Sequence, residues 1–191
     1  MAVFGKTTNG ADSIQQNGQR KVVSKATPSS NGTVTSLTAR IWRSSANPLA
    51  RAVIYADNAG APGALLATSD ELTISNSSEA EITFTFSGGN QISIVSGTPY
   101  WIGILFDAQT MGFSLLGRSY GGGESNAQAE NVDTYSDGAS DPFGTPTYQD
   151  GTLDAYVTYT EEGSPSASVS PSSSVSPSPT ATVPPSQTPC T

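Results

Sequence analysis

The chain has 191 residues with no histidine, a single cysteine (Cys190) and a formal net charge of −8. That inventory excludes disulfide scaffolds, Cys/His zinc centres and Cys–His nucleophile pairs. Seven of the eight basic residues lie at or before Arg51 and fifteen of the sixteen acidic ones lie between Asp57 and Glu162, so the body is acidic and offers no basic face to nucleic acid.

The opening residues, Met1 to Thr8, contain no basic segment followed by an apolar core, and no later stretch approaches the roughly 20 apolar residues of a transmembrane helix. No membrane insertion is expected. The expected location is a virion or an extracellular surface, reached either as an internal piece of a secreted protein or, as virion components do on lysis, without a signal peptide.

In chain order the pattern is strand after strand. Val3 to Thr8 reads as a first strand, and Asn9-Gly10 and Asn17-Gly18 mark a loop. Lys21 to Ala26 is a short second strand. Thr33 to Arg43 places Leu37, Ala39 and Ile41 opposite Ser36, Thr38 and Arg40, the signature of a half-buried antiparallel strand. Leu49 to Ala56 follows, Asp57 to Gly63 turns the chain, and Leu65 to Ser75 resumes. Ile82, Phe84 and Phe86 then alternate with Glu81, Thr83 and Thr85, giving one core face and one wet face.

The most apolar run is Thr98 to Phe106, in which both sets of alternating side chains are apolar or glycine. It is expected to be the central strand, covered on both faces. Gly112 to Leu116 can pair further, Tyr120 to Gly151 is predicted as a long irregular region opened by Gly121 to Gly123, and Leu153 to Tyr159 closes the domain. No window shows 3.6-residue periodicity. The fold class expected is all-β, an antiparallel β-sandwich of jelly-roll or immunoglobulin-like type.

Composition changes abruptly at Gly163. Ser164 to Thr191 holds ten serines and seven prolines, with no charge and no aromatic residue. Such a tract cannot bury enough apolar surface to offset its ordering entropy, so residues 1–162 are expected to form the sandwich and 163–191 a disordered linker or stalk.

Several stretches together resemble a family of β-sandwich modules found in environmental bacteriophage structural proteins and in bacterial surface proteins, some of them attached to Ser/Pro-rich repeats. These are Phe4 to Thr8, Gly32 to Ala39, Val53 to Ala67, Gly97 to Gly103, Asp141 to Gly144 and Ala155 to Tyr159. The resemblance implies a non-enzymatic module of a tail fibre, head fibre or decoration component, with other virion or surface proteins as partners. It carries no catalytic signature.

Three chemistries can be weighed on residues alone. Without histidine, acid–base catalysis would fall to carboxylates, and Glu124, Glu130, Asp133, Asp137, Asp141 and Asp150 crowd one loop-rich region. The residues give neither a separation nor a cleft for a catalytic pair, solvated loop acids are the simpler reading, and no enzyme is expected. For calcium, Asp57 and Asn58, or Asp133, Asp137 and Asp141, supply hard oxygen ligands, although neither stretch has the EF-hand glycine and closing glutamate and both residue types also form turns. No other cofactor is expected. For glycans, Trp42, Tyr120, Tyr135 and Tyr148 offer rings that stack on sugar faces, or that cap the open end of the sandwich. The expected function is a structural or adhesive virion module, with host-surface glycans as the ligand of its adhesive form; the alternative is a carbohydrate-binding accessory module of a secreted or cell-wall protein.

Overall fold

The computed structural model describes residues 1–162 except 11, 17, 44–46, 108–112 and 119–124. The Ser/Pro-rich stretch from residue 163 onward, with Cys190, and the ring of Tyr120 lie outside the described residues.

Two antiparallel sheets pack face to face as a β-sandwich. In the first, β4 (Gly32–Arg43) carries β14 (Ala155–Glu161) and β11 (Phe113–Arg118) one after the other along one edge, with β1 (Ala2–Gly5) beyond β14 and β2 (Asp12–Gln16) beyond β11, while β8 (Ala80–Thr85) and β9 (Ser93–Ile94) pair with β4 along its other edge. The second runs β13 (Thr147–Gln149), β12 (Gln128–Val132), β3 (Arg20–Ala26), β10 (Tyr100–Phe106), β5 (Leu49–Asn58) and β6 (Ala61–Thr68), with β7 (Leu72–Thr73) also on β5.

As its apolar run predicts, β10 is interior to its sheet, between β3 and β5, and all seven of its residues are buried. Tyr100, Ile102, Ile104 and Phe106 enter the core between the sheets with Val22, Leu37, Ile54, Phe84, Val157 and others. Trp101 and Leu105 point the opposite way, into a second cluster with Val23, Val53, Tyr55, Ala129, Tyr135 and Phe143. The two clusters follow from the period of two, because a strand apolar on both faces needs a layer on each. Gly103 is required by close approach: a Cβ there would run into the carbonyl oxygen of Val22 and the Cα of Val23 on the neighbouring strand.

β4 departs from simple alternation at one point. Thr158 pairs with Ser36 but Tyr159 pairs with Val34, so Thr35 is an extra residue in β4. The Thr35 hydroxyl donates to the Thr158 carbonyl (3.0 Å), and its own carbonyl accepts from the Phe86 N–H. This bulge lets Val34 and Leu37, three positions apart, both face the core.

The structure corrects four boundaries. The first strand stops at Gly5 rather than Thr8, because Gly5 at φ 110° turns the backbone away. The expected loop from Asn9 to Gly18 contains β2, and the expected run from Leu65 to Ser75 falls in two, β6 and β7. The region Tyr120 to Gly151, expected to be irregular, contains β12 and β13. Gln128, Ala129, Glu130 and Asn131 have little strand preference of their own; with Val132 they are held extended by the ladder offered by the free edge of β3.

Candidate functional site

The outer faces of the two sheets differ in kind. On the first sheet, Thr38, Arg40, Glu81, Thr83 and Tyr156 share a polar surface, with Thr38 and Thr83 joined hydroxyl to hydroxyl at 2.9 Å and Arg40 ion-paired to Glu79 at 2.6 Å. Lys6 and the buried Asp154 form an ion pair of 2.8 Å beneath a shallow recess there. Trp42 is half-buried on this same face, which keeps part of its ring available.

On the second sheet the outer face is roofed by residues 133–146, between β12 and β13. The roof contributes Tyr135 and Phe143 to the second cluster, and Phe143 meets Tyr55 edge-on at 5.0 Å between ring centroids. Its backbone is tied down at several points: the Phe143 N–H donates to the Gly63 carbonyl, the Leu65 N–H donates to Asp141 Oδ1 (3.0 Å), and Asn131 Nδ2 donates to the Phe143 carbonyl (2.8 Å). Along one margin the Tyr135 N–H donates to Gln19 Oε1 (2.9 Å), and the Tyr135 hydroxyl and Arg51 both donate to Glu71 Oε2 at 3.0 Å. The Arg51 guanidinium beside Glu71 holds its carboxyl below the usual range, and burial pushes the Tyr135 hydroxyl above its own.

Under the roof lies the residue that the sequence does not single out. Lys21 is fully buried, although its neighbours Val22 and Val23 are the apolar ones, because strand alternation points it with Val23 and Lys25 to the outer face. Its ammonium sits 4.6 Å from the Phe143 ring centroid and 5.5 Å from that of Tyr55, donates to Asp133 Oδ2 at 2.7 Å and also donates to Ser140 Oγ. The same carboxylate oxygen accepts from the Ser140 N–H (2.9 Å) and hydroxyl (3.1 Å). Burial pushes the Lys21 pKa below its ordinary value, and Asp133 opposes the shift. The Tyr55 hydroxyl closes the box by donating to the Ser140 carbonyl (3.0 Å), and burial raises its pKa well above the tyrosine norm.

The aromatic residues expected to bind sugars separate. Tyr135 is buried as a fastener, while Tyr148 on β13 is 37% exposed beside the buried Trp101, with ring centroids 6.3 Å apart. Trp42 is on the other sheet, so the structure does not gather these rings into one platform.

The carboxylates expected to hold calcium all have donors from the chain itself. Asp57 accepts from Trp101 Nε1 (2.8 Å) and closes its turn on the Gly60 N–H (2.9 Å), Asp137 accepts from Ser136, and Asp133 and Asp141 are engaged as above; Asn58 is exposed at the end of β5. Among the described residues, no three or more His, Cys, Asp or Glu side chains gather into a group that could hold a metal ion. Of the acids weighed for catalysis, Asp150 accepts from Ser125 and the Asn126 N–H, Glu130 lies 3.5 Å from Arg20, and Glu124 is outside the described residues.

Among the described residues no helix is long and apolar enough to cross a membrane. No protein-family model matches the chain, and neither a curated protein nor a solved structure matches it.

Proposed function

We propose that the chain is a non-catalytic structural or adhesive module, carried on a virion or a bacterial surface by way of the Ser/Pro-rich stretch that follows residue 162. The observation that carries this reading is the use made of the loop acids. Asp133, Asp141 and Asp150 each accept hydrogen bonds that fasten backbone of the 125–149 region or its neighbours, and Glu71 receives the Tyr135 hydroxyl. Carboxylates spent on fastening a roof suit a module that must stay rigid while its loops or rim make contact, the usual division of labour on a sandwich.

For the adhesive form the ligand class is a surface glycan, with Tyr148 as the contact: its ring is partly exposed over Trp101, and Lys25 lies 5.7 Å from the Trp101 ring. A carbohydrate-binding accessory module of a secreted or cell-wall protein would use the same rim. Single-site binding of this kind is weak and becomes useful through many copies. The test is a multivalent array of the domain over glycans and over intact cells, run beside Tyr148→Ala and Trp42→Ala variants of matched stability. Binding lost in Tyr148→Ala supports the adhesive form. An array that binds nothing, from a protein that assembles stoichiometrically onto capsids or tails, leaves the structural form; failure in both assays overturns the proposal.

A further inference from the structure

Lys21 and Asp133 present an amine and a carboxyl group in contact, with the amine itself shut off from water. We propose that they condense spontaneously, after folding, to an intramolecular isopeptide bond between Lys21 Nζ and Asp133 Cγ. The inference goes beyond the display reading and does not depend on it.

Four observations converge on this pair. Lys21 is 0% exposed, and its Nζ lies 2.7 Å from Asp133 Oδ2, which brings Cγ within attacking reach. The aromatic rings of Phe143 and Tyr55 lie against the nitrogen. Burial favours the neutral amine, the nucleophilic form, over the ammonium. Ser140 aims two donors, its N–H at 2.9 Å and its hydroxyl at 3.1 Å, at the one oxygen Oδ2. Two fixed donors on the oxygen that becomes negative during addition are what a tetrahedral intermediate requires.

The balance closes without any external reactant. One ammonium proton passes to the Asp133 carboxyl, leaving a neutral amine and a neutral acid. The Nζ lone pair attacks Cγ, forming the N–C bond, while the carbonyl π pair moves onto Oδ2 between the two Ser140 donors. A second proton passes from nitrogen to Oδ1, which then carries both; the Cγ–Oδ1 bond breaks, water leaves and the Oδ2 carbonyl re-forms. Ammonium and carboxylate have become a secondary amide and one water. The product joins β3 to the start of the roof across 112 residues of sequence.

The experiment is intact-mass measurement of the full chain, freshly purified and after prolonged incubation, followed by peptide mapping. The expected result is a mass about 18 Da below that of the sequence, the loss of one water in the step above, with a branched peptide joining Lys21 to Asp133. Lys21→Met, which keeps the shape of the side chain but has no amine, should show the full mass. Ser140→Ala keeps the N–H donor and loses the hydroxyl, so the bond should form on the order of tenfold or more slowly, in line with loss of one oxyanion donor; a merely structural role would not move that rate. The full sequence mass in folded wild type after incubation overturns the proposal. So does a loss of water that maps elsewhere, as a succinimide at Asp137-Gly138 or Asp150-Gly151 would, or one that persists in Lys21→Met.

Discussion

The outer faces of the two sheets solve the same problem in opposite ways. The first sheet meets water with threonines and ion pairs, and its alternation from Leu37 to Ile41 is the ordinary half-buried kind. The second carries Trp101, Leu105, Val23 and Val53 on its outer face and would expose a large apolar patch if the 133–146 segment did not lie across it. The polar groups therefore do different work: on the first sheet they face solvent, and on the second they fasten a lid whose own backbone makes few ladder bonds.

Removing the indole that both supports Tyr148 and bonds Asp57 should separate the two faces most widely. Trp101→Ala is expected to cost about 3–5 kcal/mol in denaturant unfolding, against about 1 kcal/mol for Trp42→Ala on the wet face. Similar losses at the two sites would break the comparison. Next comes charge: Asp133→Ala strands a buried cation and should cost about 3 kcal/mol or more, whereas Glu81→Ala removes an exposed partner of Arg40 and should cost under about 1 kcal/mol.

A smaller effect is expected where the roof meets Glu71. Tyr135→Phe loses one hydrogen bond, worth about 1 kcal/mol, and should speed amide exchange in 133–146 while leaving β4 and β14 protected. Alkaline titration sharpens the same point. Burial raises the Tyr55 and Tyr135 hydroxyls, so absorbance at 295 nm should show tyrosines that ionise late, and stability should fall as pH rises above their ordinary value near 10, where unfolded tyrosine releases its proton first. Tyr55→Phe and Tyr135→Phe should each remove one late-ionising group. The smallest effect is Glu71→Gln, under about 0.5 kcal/mol, because this carboxyl is largely in water. Its depressed pKa gives a contribution that is present above the ordinary carboxylate range and lost as pH falls through the folded value.

What could be read from the sequence was whatever rests on side-chain period. The doubly apolar run at β10 announced an interior strand with two covered faces, and Ile82, Phe84 and Phe86 announced a strand with one. The roof could not be read, because Asp133, Ser140 and Asp141 act through contacts with Lys21 and Leu65 at long sequence separation, which no local pattern encodes. Lys21 was not legible either: Lys21, Val23 and Lys25 alternate on one face, and that face is covered only because β3 pairs with β10. For Tyr135 the residues alone left open a ring that stacks on sugars or one that caps the sandwich, and its burial depends on Arg51 and Glu71, which lie far off in the chain.

The long reach of those fastenings also sets an order of events in folding. Lys21 meets Asp133 across 112 residues, Gln19 meets Tyr135 across 116 and Glu71 meets Tyr135 across 64, and each loop closure costs entropy that only an assembled sheet can offset. The β3–β10–β5 ladder must therefore be in place before the 133–146 segment can settle on it. Substitutions at Asp133 and Phe143 should then leave the folding rate nearly unchanged and accelerate unfolding, which places these side chains outside the transition state and makes the roof the last part of the molecule to close.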